Sequence, residues 1–340
     1  MYQVSGKKRN LTPNCLFNTS NACQNELQNK VPFYFPLRYF STFNLYWLMN
    51  TINQAEANPL PSLDTWEEDV LLRYPDPEAI ASSKATEEYR NYDSPVRDTV
   101  KEFYRLNHTY QTYDFVQEKR NNFLKFDKKE MTVWDAFNFL NQLVDDSDPD
   151  TDLDQLQHLL QTSEAIRRDG HPDWMVLTGL MHDMGKVLCL FGEPQWAVVG
   201  DTFPVGCAYS DKVVYPEYFQ QNPDYNNARF NTQYGVYAPG CGLRNVTMSW
   251  GHDEYVYQML KDYIPEQGLY MLRYHSFYSW HREGEYSHLL DDHDREMEKW
   301  VKLFNPYDLY SKSPEPPDWK KLKPYYEDLI AKYLPATLKF

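Results

Sequence analysis

Trp174-Met175-Val176-Leu177-Thr178-Gly179-Leu180-Met181-His182-Asp183-Met184-Gly185-Lys186 is the stretch on which the reading of this 340-residue chain turns. Its first eight residues are apolar almost all round, the pattern of a helix buried on every side. The sequence predicts one central helix over Trp174–Phe191. Inside it, His182 and Asp183 place two polar, metal-competent side chains next to each other. Burying an imidazole and a carboxylate without partners costs several kcal/mol. A cation held by both offsets that cost. Neighbours on a helix point about 100° apart, so the imidazole takes one ion while the carboxylate reaches sideways to a second. The plainer alternative is a buried His–Asp pair joined by a hydrogen bond.

The flanks are helical too. From about residue 94, Val96, Val100, Phe103 and Tyr110 recur at three to four residues, as one helix face requires. Val133, Ala136, Phe137, Leu140, Leu143 and Val144 repeat the pattern, and Asp145-Asp146-Ser147-Asp148-Pro149 stops it. Asp152 with Gln155 three residues on resembles a capping box, opening a helix through Leu156, Leu159, Leu160 and Ile166 to Gly170. Helical periods return at about 251–263, 267–281, 286–304 and 318–333. Residues 192–248, rich in Gly, Pro, Asn and Tyr, read as long loops with at most short strands. Val/Ile alternation is nearly absent, so the expected class is all-α. The expected organisation is a single helical domain over 86–340, preceded by a poorly defined N-terminal extension over 1–85.

Composition narrows the function. Charged residues are 24%, hydrophobic ones 42%, with 18 Phe, 9 Trp and 28 Tyr, which excludes a wholly disordered chain. A net charge of −15 argues against nucleic acid as the main partner, because phosphate binding needs a basic face. Lys7, Lys8, Arg9, Lys30 and Arg38 against Glu26 and Glu56 leave residues 1–60 at +3, so the acidity lies in the remainder. No stretch of about 18 apolar residues stands out, so no membrane span is expected. Cys15, Cys23, Cys189, Cys207 and Cys241 form neither a CxxC pair nor an even framework, which fits a reducing compartment. A cytoplasmic monomer is the expectation.

A metal site needs donors beyond one His–Asp pair. His158 lies one helix earlier, on the wheel face of Thr162 and Ala165, opposite Leu156 and Leu160. Solvent exposure is the competing reading for it. His252 sits at a predicted helix start and His275 among aromatics. His281, His288 and His293 lie among charged residues and read as solvated; His108 and His171 have no supporting context. Imidazoles joined with carboxylates suit a first-row transition ion better than Mg²⁺ or Ca²⁺.

Longer motifs carry a resemblance. Gln111-Thr112-Tyr113-Asp114-Phe115-Val116, the run from Gly192 to Cys207, Ser249-Trp250-Gly251-His252-Asp253-Glu254-Tyr255 and His275-Ser276-Phe277-Tyr278 all resemble the myo-inositol oxygenase family, within the HD-domain superfamily. The resemblance runs from about Tyr89 to the C-terminus. It implies a helical HD-type fold with two iron ions per subunit, Fe(II)/Fe(III) in the active form. It also implies conversion of myo-inositol and dioxygen, the co-substrate, to D-glucuronate and water.

Carried over by motif, the resemblance makes His158, His182, Asp183, His252, His275 and Asp308 the iron ligands, with Asp183 as the bridge. Inositol contacts fall on Arg90, Asp145, Asp146, Ser147, Lys186, Gly200, Asp201, His275, Ser276 and Lys312. Lys186 and Asp183 take catalytic roles, and Tyr104 matches a tyrosine near the site entrance. The family often has Glu where Asp146 stands here. Two other readings compete: a metal-dependent HD-type phosphohydrolase using Arg244 or Arg273 for phosphate, and a non-catalytic metal-binding scaffold.

Overall fold

The computed structural model describes residues 98–143, 155–310 and 317–340. Helix α1 spans Asp98–Tyr110 and α2 spans Tyr113–Phe123. The Thr112 hydroxyl caps α2 by accepting from Phe115 N at 3.1 Å. Thr132 does the same for Asp135 N at the start of α3, Val133–Leu140. Then come α4 (Gln155–Arg168), α5 (Asp173–Met181), α6 (His252–Leu260), α7 (Glu266–Tyr274), α8 (Tyr278–His281), α9 (Asp292–Tyr310) and α10 (Trp319–Tyr333). The strands of the described residues are β1 (Glu130–Met131) and β2 (Leu338–Lys339), paired antiparallel with Glu130 opposite Lys339. The fold is all-α, as the periodicity required.

α5 is the hub. Every side chain from Trp174 to Met181 is buried, and α4, α7 and α10 pack around it. α9 lies across α7 and α4. Between α5 and α6 the chain runs through 3₁₀ turns such as Gln195–Ala197 and Pro216–Gln221, with one isolated bridge from Pro204 to Met248. These are the long loops that the Gly, Pro and Asn content announced. His108, without context in the sequence, anchors one of them. It is buried, stacks on Phe219 at 4.1 Å between ring centroids and reaches Val214 O at 2.6 Å. Burial lowers its pKa to about 4, so it stays neutral.

Two expectations need correction. The helix predicted over Trp174–Phe191 is not continuous. It ends at Met181, and Asp183 takes φ −94°, ψ 3°. The chain then winds on as a tighter 3₁₀ helix, Met184–Phe191. The apolar pattern is common to both windings and cannot separate them. The α6 backbone comes close to this segment: a Cβ on Gly185 would stand 2.1 Å from His252 O. Second, by length and composition Asp173–Phe191 is apolar enough to cross a membrane. Its window is 78% buried inside the fold, so its apolarity serves the core. The predicted stop at Asp145–Pro149 and the capping residue Asp152 lie outside the described residues.

The contact at Gly185 yields a stability prediction. A Cβ on Gly179 meets only the end of a flexible side chain, Ile166 Cδ1 at 2.7 Å, whereas one on Gly185 meets backbone. Overpacking costs roughly 1–3 kcal/mol and is greatest where the neighbour cannot yield. Gly185→Ala should therefore lower the thermal unfolding midpoint clearly more than Gly179→Ala. Equal shifts in a melting experiment would show that the α6 backbone yields easily here.

Candidate metal centre

Helix ends aim the histidines. His182 follows α5 and His275 follows α7, each as the C-terminal cap. The last carbonyls of a helix lack intrahelical partners. Here His182 Nδ1 takes Gly179 O at 2.8 Å and His275 Nδ1 takes Leu272 O at 3.0 Å. His252, first residue of α6, gives its Nδ1 to Val198 O at 2.8 Å. A carbonyl only accepts, so each of these Nδ1 atoms carries a proton, and when the ring is neutral its Nε2 is left bare for a metal.

These Nε2 atoms, with that of His158, face one another. His252 Nε2 and His275 Nε2 are 3.3 Å apart, and His158 Nε2 and His182 Nε2 are 3.2 Å apart. Where both rings of a pair are neutral with Nδ1 protonated, their two lone pairs face each other and repel. A cation between them removes the repulsion, and nitrogen–carboxylate donor sets of this kind suit first-row transition ions.

Asp183 joins the two pairs. Its Oδ2 lies 3.4 Å from His182 Nε2 and 3.7 Å from His158 Nε2. Its Oδ1 lies 3.4 Å from His252 Nε2 and 3.8 Å from His275 Nε2. Asp308, on α9, adds Oδ1 to the first group at 3.0 Å from His158 and 3.2 Å from His182. The residues thus form two adjacent donor groups sharing one carboxylate. One is His158, His182 and Asp308 with Asp183 Oδ2; the other is His252 and His275 with Asp183 Oδ1. His158 keeps about 20% of its side chain exposed. The face it shares with Thr162 and Ala165 is buried, so the wheel's suggestion of a solvent face does not hold.

The electrostatics call for positive charge. Burial lowers the His182 pKa, but the charges of Asp183 and Asp308 outweigh it and raise the value to about 10. His252 rises likewise: burial opposes, and Asp253 and Asp183 prevail. Burial favours the neutral form of Asp183, yet Lys186 and His182 hold its pKa well below the carboxylate range. Asp308 is depressed against burial by His158 and His182.

The family profile described as Myo-inositol oxygenase matches residues 97–340. The chain belongs to the myo-inositol oxygenase family. It is 54% identical over 261 residues to the probable inositol oxygenase of Oryza sativa subsp. japonica, covering 74% of this chain and 85% of that one. It is 49% identical to the inositol oxygenase of Dictyostelium discoideum, over 75% of this chain and 91% of the relative. With the inositol oxygenase of Mus musculus the identity is 48%, over 84% of this chain and 100% of the mouse protein. That share exceeds residues 86–340 alone, so similarity reaches into the segment before residue 86.

Of the substrate positions expected from this family, the structure draws some to the centre. Lys186 Nζ stands 2.9 Å from Asp183 Oδ2, and Ser276 Oγ lies 3.5 Å from His252 Nε2. Asp201 is buried and accepts from the Tyr104 hydroxyl at 3.2 Å. Tyr104 is itself fully buried. Gly200 has φ +90°, and Phe103 packs where its Cβ would be, at 2.8 Å. Arg90, Asp145, Asp146, Ser147 and Lys312 lie outside the described residues.

Two residues escaped the sequence reading. His281 is not solvated: it is buried and its Nε2 donates to His275 O at 3.0 Å, bracing the turn that carries His275. Burial lowers its pKa to about 3. His288 and His293 are partly exposed, closer to expectation, although each has a partner, Gln233 O and Glu266 respectively. Asp253 is buried against His252 Nε2 at 2.7 Å. The signal for it was present, since His252-Asp253 repeats the His182-Asp183 pair.

Two predictions follow from this geometry. Asp183→Asn touches both donor groups and Asp308→Asn only one. Metal analysis of the purified variants should therefore show the larger loss for Asp183→Asn, above one equivalent; equal losses would refute the shared carboxylate. The second concerns pH. In the metal-free protein His182 keeps an extra proton up to about pH 10, so metal uptake near neutrality expels it. Apparent affinity should rise from pH 7 to 8, by up to about ten-fold per proton displaced. Chelator competition at the two pH values measures this, and a flat profile would contradict it.

Proposed function

We propose that the chain catalyses the dioxygen-dependent ring cleavage of myo-inositol to D-glucuronate and water, at two iron ions held by His158, His182, Asp183, His252, His275 and Asp308. The observation that carries the reading is the division of the Asp183 oxygens between two imidazole pairs. Relatives named inositol oxygenase, at about half identity, supply the substrate class. The reaction balances: one dioxygen atom enters the acid and the other leaves as water.

Bound iron supplies the one-electron chemistry that dioxygen requires and that no side chain here offers. The protein's part is binding, orientation and exclusion of water. His182, Asp183, His252 and His275 are all buried, so solvent reaches the centre poorly. Inositol is neutral and rich in hydroxyls, so its pocket needs donors and acceptors with fixed directions. Lys186 provides N–H donors. Its ammonium is held beside Asp183 and lies close enough to the centre to stabilise negative charge developing on a substrate oxygen. Asp201 offers acceptor capacity, with one oxygen steadied by Tyr104.

The arginines weigh against the phosphohydrolase. Arg273 is buried and donates to Glu254 Oε2 at 2.6 Å and to Tyr274 Oη at 2.9 Å. Arg244 pairs with Asp291 at 2.7 Å. Both have carboxylate partners other than a phosphate.

Iron-loaded protein should consume dioxygen and myo-inositol one for one, yield glucuronate and release no phosphate from phosphoesters. Chelation should abolish turnover. Lys186→Ala should keep its iron and lose about 10²-fold or more in kcat/KM. Phosphate release without oxygen uptake would favour the hydrolase, and wild-type turnover by the lysine variant would remove Lys186 from the pocket.

A further inference from the structure

Behind the second donor group one carboxylate ties two loops together. Asp253 is fully buried at the first turn of α6. Its Oδ2 accepts from Ser276 N at 3.2 Å and from Thr202 Oγ1 at 3.1 Å. Its Oδ1 accepts from Ser276 Oγ at 3.2 Å. Thr202 N in turn donates to Ser276 O at 2.9 Å. Thr202 follows Asp201, and Ser276 follows His275, so the two segments expected to meet the substrate are fastened to one side chain. Oδ1 also faces His252 Nε2 at 2.7 Å and His275 Nε2 at 3.4 Å, nitrogens that in the neutral, metal-binding form of each ring carry no proton to give it.

A serine hydroxyl has one proton and two lone pairs. Ser276 spends its proton on Asp253. Its lone pairs therefore remain for an incoming donor. We propose that Asp253 is a positioning residue that fixes the Ser276 hydroxyl as an acceptor for one O–H of the polyol, and holds the Thr202 segment in register with it. This rests on the inositol reading above and adds how one hydroxyl is recognised.

The isosteric amide tests it. In Asp253→Asn the two donors at Oδ2 keep the amide oxygen on their side. The NH₂ then takes the place of Oδ1 and must donate to Ser276 Oγ, which turns the serine proton toward the substrate. Acceptor becomes donor while the shape is kept. Asp253→Asn, Ser276→Ala and the double variant would be loaded with iron and compared with wild type. Readouts are metal content, the inositol-induced rise in Tm under anaerobic conditions, and KM against kcat. Each single variant should weaken inositol binding about ten-fold, mainly in KM, with metal content unchanged. The double variant should be no weaker than the worse single one, because Asp253 acts through Ser276.

Multiplying losses, or shedding of metal by Asp253→Asn, overturns the proposal. Should that variant fail to fold, Thr202→Val loosens the same carboxylate. Its rise in KM should vanish in the Ser276→Ala background, and persistence there overturns the proposal equally. A wild-type Tm that inositol does not shift overturns the inositol reading and this role with it. A shifted wild type with independent losses overturns this role alone.

Discussion

A carboxylate in a protein interior needs compensating charge on every side it faces, and Asp183 faces two. Its oxygens look at separate imidazole pairs, with Lys186 beside one of them. In a low-dielectric core an unpaired ion is expensive, while paired charges attract strongly. This one requirement draws α4, α5, α6, α7 and α9 to a common point, since each supplies or adjoins a donor. The break after Met181 belongs to the same demand. An unbroken helix would carry Lys186 one turn beyond His182, whereas the 3₁₀ winding brings Lys186 N onto Asp183 O at 2.9 Å and its ammonium onto the carboxylate.

The surrounding structure turns backbone leftovers into aiming devices. Helix C-termini leave carbonyls without donors, and here imidazole Nδ1 groups take them. That satisfies the helix, fixes the tautomer and points Nε2 inward in one stroke. His281 extends the logic by donating to the carbonyl of His275 itself. A neutral buried histidine thus stiffens the turn that carries His275 without adding charge.

A second buried charge cluster keeps α6 and α7 in register. Glu254 sits between Arg273 and Arg120, and Arg273 also donates to the carbonyls of Leu243 and Val246. Breaking such a pair by removing one partner leaves a stranded charge and costs about 3–5 kcal/mol. Because Glu254 follows His252 and Asp253 directly, this cluster also fixes the start of α6, where the second donor group begins. Arg273, one of the two arginines weighed for phosphate binding, is thereby accounted for.

Period and apolarity by themselves determined the all-α class, the buried character of Trp174–Met181 and the looped stretch over 192–248. The His182-Asp183 pair pointed to a metal site, because burial makes two adjacent polar groups costly wherever they fold. Motif resemblance, rather than spacing, supplied the other donors. Periodicity could not see the switch from α to 3₁₀ winding, since both bury the same apolar residues. Nor could it see that His281 is inside, for its neighbours Arg282 and Glu283 are exposed while the ring turns inward. Asp253 stood in plain view as a second His–Asp pair, but its work is done by contacts to Thr202 and Ser276, 51 and 23 residues away. Local sequence fixes which groups need partners; only tertiary packing decides which partners they meet, because hydrogen-bond and ion-pair geometry is set by elements distant along the chain.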